Sequence, residues 1–182
     1  ASGVSVARAL VTEAEFLSLP ESMQRMELID GEVYVPPSPS FLHQETLSRV
    51  VTALRTWAAV QPEPVTVCQA PLDVRFAPGR ILQPDAFVLF ARIPAQHEGP
   101  IEEVPALCIE VLSTNRAHDR VTKRYIYAEA GVQELWTVEP AGLVERWSGD
   151  GLSRSETIRD VLRSPLLPGF DLAVPSLWPS EE

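Results

Sequence analysis

Cysteine is scarce in this chain: Cys68 and Cys108 are the two among 182 residues. Two are too few for a disulfide framework, and the three histidines are scattered, so no Cys/His zinc pattern forms. Both cysteines lie in apolar runs and read as small buried hydrophobes, which fits a reducing cytoplasm. Long hydrophobic runs are missing as well. None approaches the ~20 residues that a bilayer span requires, which excludes a helical membrane protein. The first ten residues (ASGVSVARAL) carry no signal-peptide pattern. Basic residues are in the minority: 15 Lys and Arg against 25 Asp and Glu leave a formal net charge of −10. Nucleic-acid binding draws much of its affinity from Lys and Arg on phosphates. The overall charge therefore opposes such a partner, and only a local cluster (Arg116, Arg120, Lys123, Arg124) runs the other way. A Gly-rich phosphate loop and a nucleophile elbow are both lacking, which argues against an NTPase and a serine hydrolase.

What is present suits one domain with a real core: 45% of residues are hydrophobic and 22% charged. No repeat or interdomain linker breaks the chain. Thr12 and Glu15 have capping-box spacing, predicting a short helix over 12–19 that Pro20 stops. Asp30-Gly31 between residues 25–29 and 32–35 predicts a hairpin. Ser38-Pro39 reads as an N-cap with Pro at the first helical position, opening a helix to residue 60. That helix buries Leu47, Val50, Val51, Leu54, Trp57 and Ala58. Strands follow at 65–69, 72–76, 81–90 and 106–112, with a surface loop at 94–103. A helix over 115–130, capped by Thr114 or Asn115 and closed by Gly131, would bury Ala117, Val121, Tyr125 and Ala128. Strands at 132–138 and 143–147, a short edge strand at 152–158 and an extended apolar tail at 166–178 complete the order. Helices between strands predict a mixed α/β sheet flanked by helices, with a βαβ crossover around the 115–130 helix.

Two of these strands carry a carboxylate where a core strand should have none. Asp85 stands after Pro84 at the mouth of AFVLF, and Glu110 lies inside ALCIEVL. A buried carboxylate is costly unless it is paired or bound to a metal. Mg²⁺ asks for one or two carboxylates plus water and phosphate oxygens. Asp85 and Glu110 meet that need, with a backbone carbonyl near Val111 as a third ligand. Lys123 would orient the attacking water or steady the phosphate. Each has a plainer reading: Asp85 as turn chemistry, Lys123 as a solvated i,i+4 pair with Asp119, and His43 as a packed or capping residue at a helix start. Aimed at phosphate from that helix end, His43 would instead belong to the site.

Pro84-Asp85, then Ile109-Glu110-Val111-Leu112-Ser113, Asp119…Lys123…Tyr127 and Gly131-Val132…Glu134…Trp136 together resemble the Uma-two family. That family consists of restriction-endonuclease-like proteins of the PD-(D/E)XK nuclease superfamily. Residues 27–32 (ELIDGE), Pro39…His43-Gln44 and residues 167–170 (LPGF) look like it too, so the likeness runs from about Glu27 to Trp178. It implies a restriction-endonuclease-like core with an N-terminal helix and hairpin, and a DNA endonuclease using Mg²⁺ or Mn²⁺. Asp85 and Glu110 match the metal-binding acids. The lysine slot two residues after Glu110 holds Leu112, and Lys123 stands as its migrated replacement. Glu32 and His43 match recurring positions near the site, and Gln83 precedes the motif. The partner implied is DNA, on a monomer or a homodimer. The alternatives are a catalytically inactive binding module on the same fold, or an intact site acting on RNA or a small phosphoester.

Overall fold

In the computed structural model, whose described residues are 10–20, 25–113, 117–139 and 142–179, the apolar runs assemble into two principal sheets. The elements in order are α1 (Glu13–Leu17), β1 (Glu27–Ile29), β2 (Glu32–Tyr34), α2 (Phe41–Ala58), β3 (Thr66–Gln69), β4 (Val74–Ala77), β5 (Arg80–Leu82) and β6 (Ala86–Leu89). Then come β7 (Leu107–Val111), α3 (Ala117–Ala130), β8 (Glu134–Glu139), β9 (Leu143–Ser148), β10 (Arg154–Ile158), β11 (Val161–Leu162) and β12 (Leu172–Ala173). The large sheet has the order β10-β9-β8-β7-β6-β3, and the small one β2-β1-β5-β4. Within the large sheet β7 and β8 pair in parallel across the α3 crossover, while the other pairings are antiparallel. The chain is thus the mixed α/β sheet with flanking helices that its pattern predicts.

Strand alternation divides the core into two layers. Ala86 and Val88 of β6, Leu107, Ile109 and Val111 of β7, and Trp136 and Val138 of β8 face α2 and the C-terminal segment. That segment contributes Leu167, Phe170, Val174 and Leu177 to the same layer, so the predicted wrapping tail is there. Arg49 and Trp57 of α2 donate to its backbone carbonyls at Ser176, Trp178 and Pro168. On the opposite face Phe87, Leu89, Cys108 and Leu135 pack against Ile126 and Tyr127 of α3 and against Ile29, Val74, Phe76 and Leu82 of the small sheet. Neither cysteine is in a disulfide; Cys108 is buried and Cys68 partly so.

Three expectations need correction. The strand expected over 81–90 is two strands in different sheets, because Gln83-Pro84-Asp85 interrupts it; Pro84 has no N–H for a ladder. The cap of α2 is Ser40, whose side chain accepts from the His43 amide at 3.1 Å, and Pro39 lies before the helix rather than in it. The buried stripe of α3 is out of phase with the prediction. Val121 and Tyr125 are 61% and 57% exposed, whereas Lys123, Ile126 and Tyr127 are buried. The expected caps Thr114 and Asn115, with Arg116, lie outside the described residues, as does the Asp119 side chain. Among the described residues no helix is long and apolar enough to cross a membrane.

Candidate active site

The interruption at Pro84 places Asp85 at the start of β6, one strand from Glu110 in β7. Glu110 follows the parity of Cys108 and so points to the α3 side. There Tyr127 donates its hydroxyl to Glu110 Oε1 at 2.5 Å, and Lys123 Nζ stands 3.7 Å from the same oxygen. Lys123 and Tyr127 stand four residues apart on α3, on successive turns of one face, so both reach Glu110. Lys123 Nζ also pairs with Glu27 Oε1 of β1 at 3.2 Å. The other oxygen of Glu27 accepts from the Gln83 amide at 2.7 Å. Two carboxylates from two strands therefore meet at Lys123 of one helix, and both are buried, as is Asp85.

Asp85 is held from three directions. Its Oδ2 accepts from the Val111 amide at 2.8 Å and lies 3.2 Å from His43 Nε2 in the first turn of α2. Its Oδ1 accepts from Arg25 Nη1 at 3.3 Å. Gln83 braces that arginine, taking a bond from Arg25 Nε on its side-chain oxygen and one from Nη2 on its carbonyl, at 3.2 and 2.5 Å. The Gln83 side-chain nitrogen, Nε2, in turn donates to Asp73 Oδ1 at 2.8 Å. Asp85, Glu110, Lys123, Arg25 and His43 all line one cavity of about 180 Å³, walled by residues 36–40 on one side and by Leu112, Ser113, Arg120 and Thr137 on the other.

The two acids of this cavity differ in charge state. Burial pushes the Asp85 carboxyl up, but the bond and charge of His43, then Arg25 and Lys123, outweigh it and hold Asp85 below the usual range. Glu110 is raised to about 8: burial leads, Lys123 opposes it, the charges of Asp85 and Glu27 add to it, and the Tyr127 bond opposes. Near neutral pH one acid is therefore ionised and the other holds its proton. Among the described residues no group of three or more His, Cys, Asp or Glu is arranged to hold a metal ion.

The structure brings together Asp85, Glu110, Lys123 and His43, with Gln83 one bond away through Arg25. It does not bring Glu32, which is exposed on β2 with its carboxylate on the Tyr34 hydroxyl at 2.6 Å. An acid of the N-terminal region does reach the site, and it is Glu27 rather than Glu32. It carries the signal that marks Glu110, an acid among apolar neighbours (Met26-Glu27-Leu28-Ile29), but in too short a strand to stand out. At Val111 the backbone amide donates to Asp85. Arg25 has no local signal, since its partners lie some sixty residues away in the sequence. Glu134, part of the family likeness, belongs elsewhere. It accepts from Trp136 Nε1 and Ser164 Oγ and pairs with Arg146, in a buried polar cluster on structural duty.

Comparison with known proteins agrees with this architecture. The crystal structure of a "putative nuclease belonging to DUF820" from Anabaena variabilis ATCC 29413 matches with a TM-score of 0.75 and 24% identity, over 92% of this chain and 97% of that one. At that identity the likeness is one of fold. No curated protein matches the chain. The profile of the Uma2 (Uma-two) family, described as "Putative restriction endonuclease", matches residues 13–175. The chain belongs to the Uma2 family.

Proposed function

We propose that this protein is a divalent-metal-dependent DNA endonuclease that hydrolyses phosphodiester bonds. The observation that carries the reading is the convergence of Asp85 and Glu110, from neighbouring strands, with Lys123 on the wall of one cavity. The family description supports it.

The donors suit Mg²⁺ or Mn²⁺: two hard carboxylates on a cavity wall, with water and substrate oxygens to complete the shell. Glu110 also fits. A carboxyl whose burial keeps it protonated to about pH 8 is short of positive charge, and a cation beside it would favour its ionised form. A bound cation would polarise the phosphate and make a water more acidic. The chain's own groups do the rest. The Val111 amide and His43 fix the direction of Asp85. Tyr127 fixes Glu110. Lys123, braced by Glu27, presents an ammonium that orients the attacking water or steadies charge building on the phosphate. Glu27 is a positioning residue, because it acts through Lys123.

One observation favours the second reading, an inactive binding module. Lys123 lies closer to Glu27 than to Glu110, and Leu112 occupies the usual lysine slot. Plasmid nicking in Mg²⁺ and in Mn²⁺ decides between the two. The endonuclease reading expects nicking by the wild type and its loss in Asp85→Ala, Glu110→Ala and Lys123→Ala. A folded wild type that binds DNA without nicking it would establish the module instead.

A further inference from the structure

Asp85 is already crowded. It meets three donors, and its Oδ2 carries two of them, the Val111 amide and His43 Nε2. A carboxylate offers about four lone-pair directions, so the one left over lies on Oδ1 beside the Arg25 guanidinium, whose positive charge opposes a divalent cation on the same oxygen. The Val111 amide is fixed in the backbone of β7. His43 is anchored in the first turn of an eighteen-residue helix, and its side chain is 13% exposed. Arg25 differs on every count. Its contact is the longest of the three at 3.3 Å, its side chain is 23% exposed, and its stem is flexible. It gives up one bond by leaving Asp85 while its two bonds to Gln83 hold it nearby. It lines both the site cavity and the adjoining groove formed by residues 35–39, Gln44 and Gln69–Pro71.

We propose that Arg25 and a divalent cation exchange at Asp85. Arg25 holds the carboxylate while no cation is bound; the cation displaces it, and the released guanidinium takes a phosphate oxygen of the substrate from the side of the adjoining groove. The inference rests on the endonuclease reading and adds a residue to it. The charges balance at each stage. Arg25 neutralises Asp85 before exchange. As the divalent ion binds, the proton on Glu110 passes to solvent, the ion neutralises the two carboxylates, and the guanidinium is left for the incoming phosphate. The planar fork of arginine matches phosphate oxygens, which a lysine at this position would meet at a single point.

Calorimetric titration with Mn²⁺ alone tests the exchange, with the wild type, Arg25→Gln and Arg120→Gln compared at one pH. Arg120 is the control for general charge: it lines the same cavity but pairs with Glu139 at 3.3 Å. Exchange predicts that R25Q binds Mn²⁺ about tenfold more tightly, the value of one charged hydrogen bond, while R120Q stays within about twofold of wild type. In nicking assays R25Q should show the opposite sign, a raised KM for plasmid. Arg25→Met, which keeps the stem, replaces R25Q if melting in EDTA shows that R25Q does not fold. Unchanged or weaker Mn²⁺ binding by R25Q overturns the exchange, as does equal tightening in R120Q. If wild type binds Mn²⁺ and Asp85→Ala does not, the metal site stands even where the exchange fails. If neither wild type nor R25Q binds Mn²⁺, both readings fall.

Discussion

Glu110 and Asp85 sit one strand apart, yet Glu110 holds its proton while Asp85 is ionised. Burial leads at Glu110, whereas His43 and Arg25 outweigh it at Asp85, and the proton on Glu110 is measurable as stability. The ordinary value for Glu110 is 4.5 and its folded value is about 8. Between those limits the folded chain keeps a proton that the unfolded chain has lost. Without metal, stability therefore falls as pH rises from about 4.5 through about 8. Glu110→Gln keeps an acceptor for Tyr127 and removes the ionisation. Thermal melts in EDTA should show the variant gaining on wild type between about pH 4.5 and about pH 8, with the change concentrated in that window. A stability difference between E110Q and wild type that does not vary with pH would contradict the assignment. The same residues show how much of the site the sequence reveals. Asp85 and Glu110 announce themselves as acids in apolar strands, and Lys123 by its place on the next helix. Glu27 had the same signal at lower contrast, and Arg25 had none, because long-range bonds alone define its role.

At the scale of elements, the N-cap of α2 is open to a direct test, because the structure places it at Ser40 where Ser38-Pro39 suggests Ser38. The cap bond runs from the His43 amide to Ser40 Oγ, so it also sets the turn that aims His43 at Asp85. Ser40→Ala should cost about 1 kcal/mol in urea unfolding, and Ser38→Ala close to nothing. The reverse ranking would restore the cap that Ser38-Pro39 suggests. Most elements were legible, since apolar periodicity and turn residues mark them locally. The hairpin turn at Asp30-Gly31 is one case, with φ of 51° and 88° at the two positions. The α3 stripe was not legible. Apolar spacing selects Val121 and Tyr125, but the partners that draw Lys123 and Tyr127 inward, Glu27 and Glu110, come from other elements. A helix whose buried face is its chemical face defeats a rule that equates buried with apolar. The strand break at Pro84 was visible as a proline, and the length of the apolar run concealed that it serves two sheets.

Over the whole molecule, the net charge of −10 sets a condition on any nucleic-acid partner. The cations that line the site cavity are engaged with acids: Arg25 with Asp85, Lys123 with Glu27 and Glu110, Arg120 with Glu139. Little positive charge is left over to gather a duplex by its phosphates. On the endonuclease reading, a cation bound at Asp85 and Glu110 supplies the missing charge, and DNA engagement depends on it. The most direct measurement is Mn²⁺ titration of wild type, Asp85→Ala and Glu110→Ala by calorimetry, with melting in EDTA to establish that each is folded. The account predicts saturable binding by the wild type and its loss in both variants. A folded wild type that takes up no Mn²⁺, or variants that bind it as well as wild type, would contradict it.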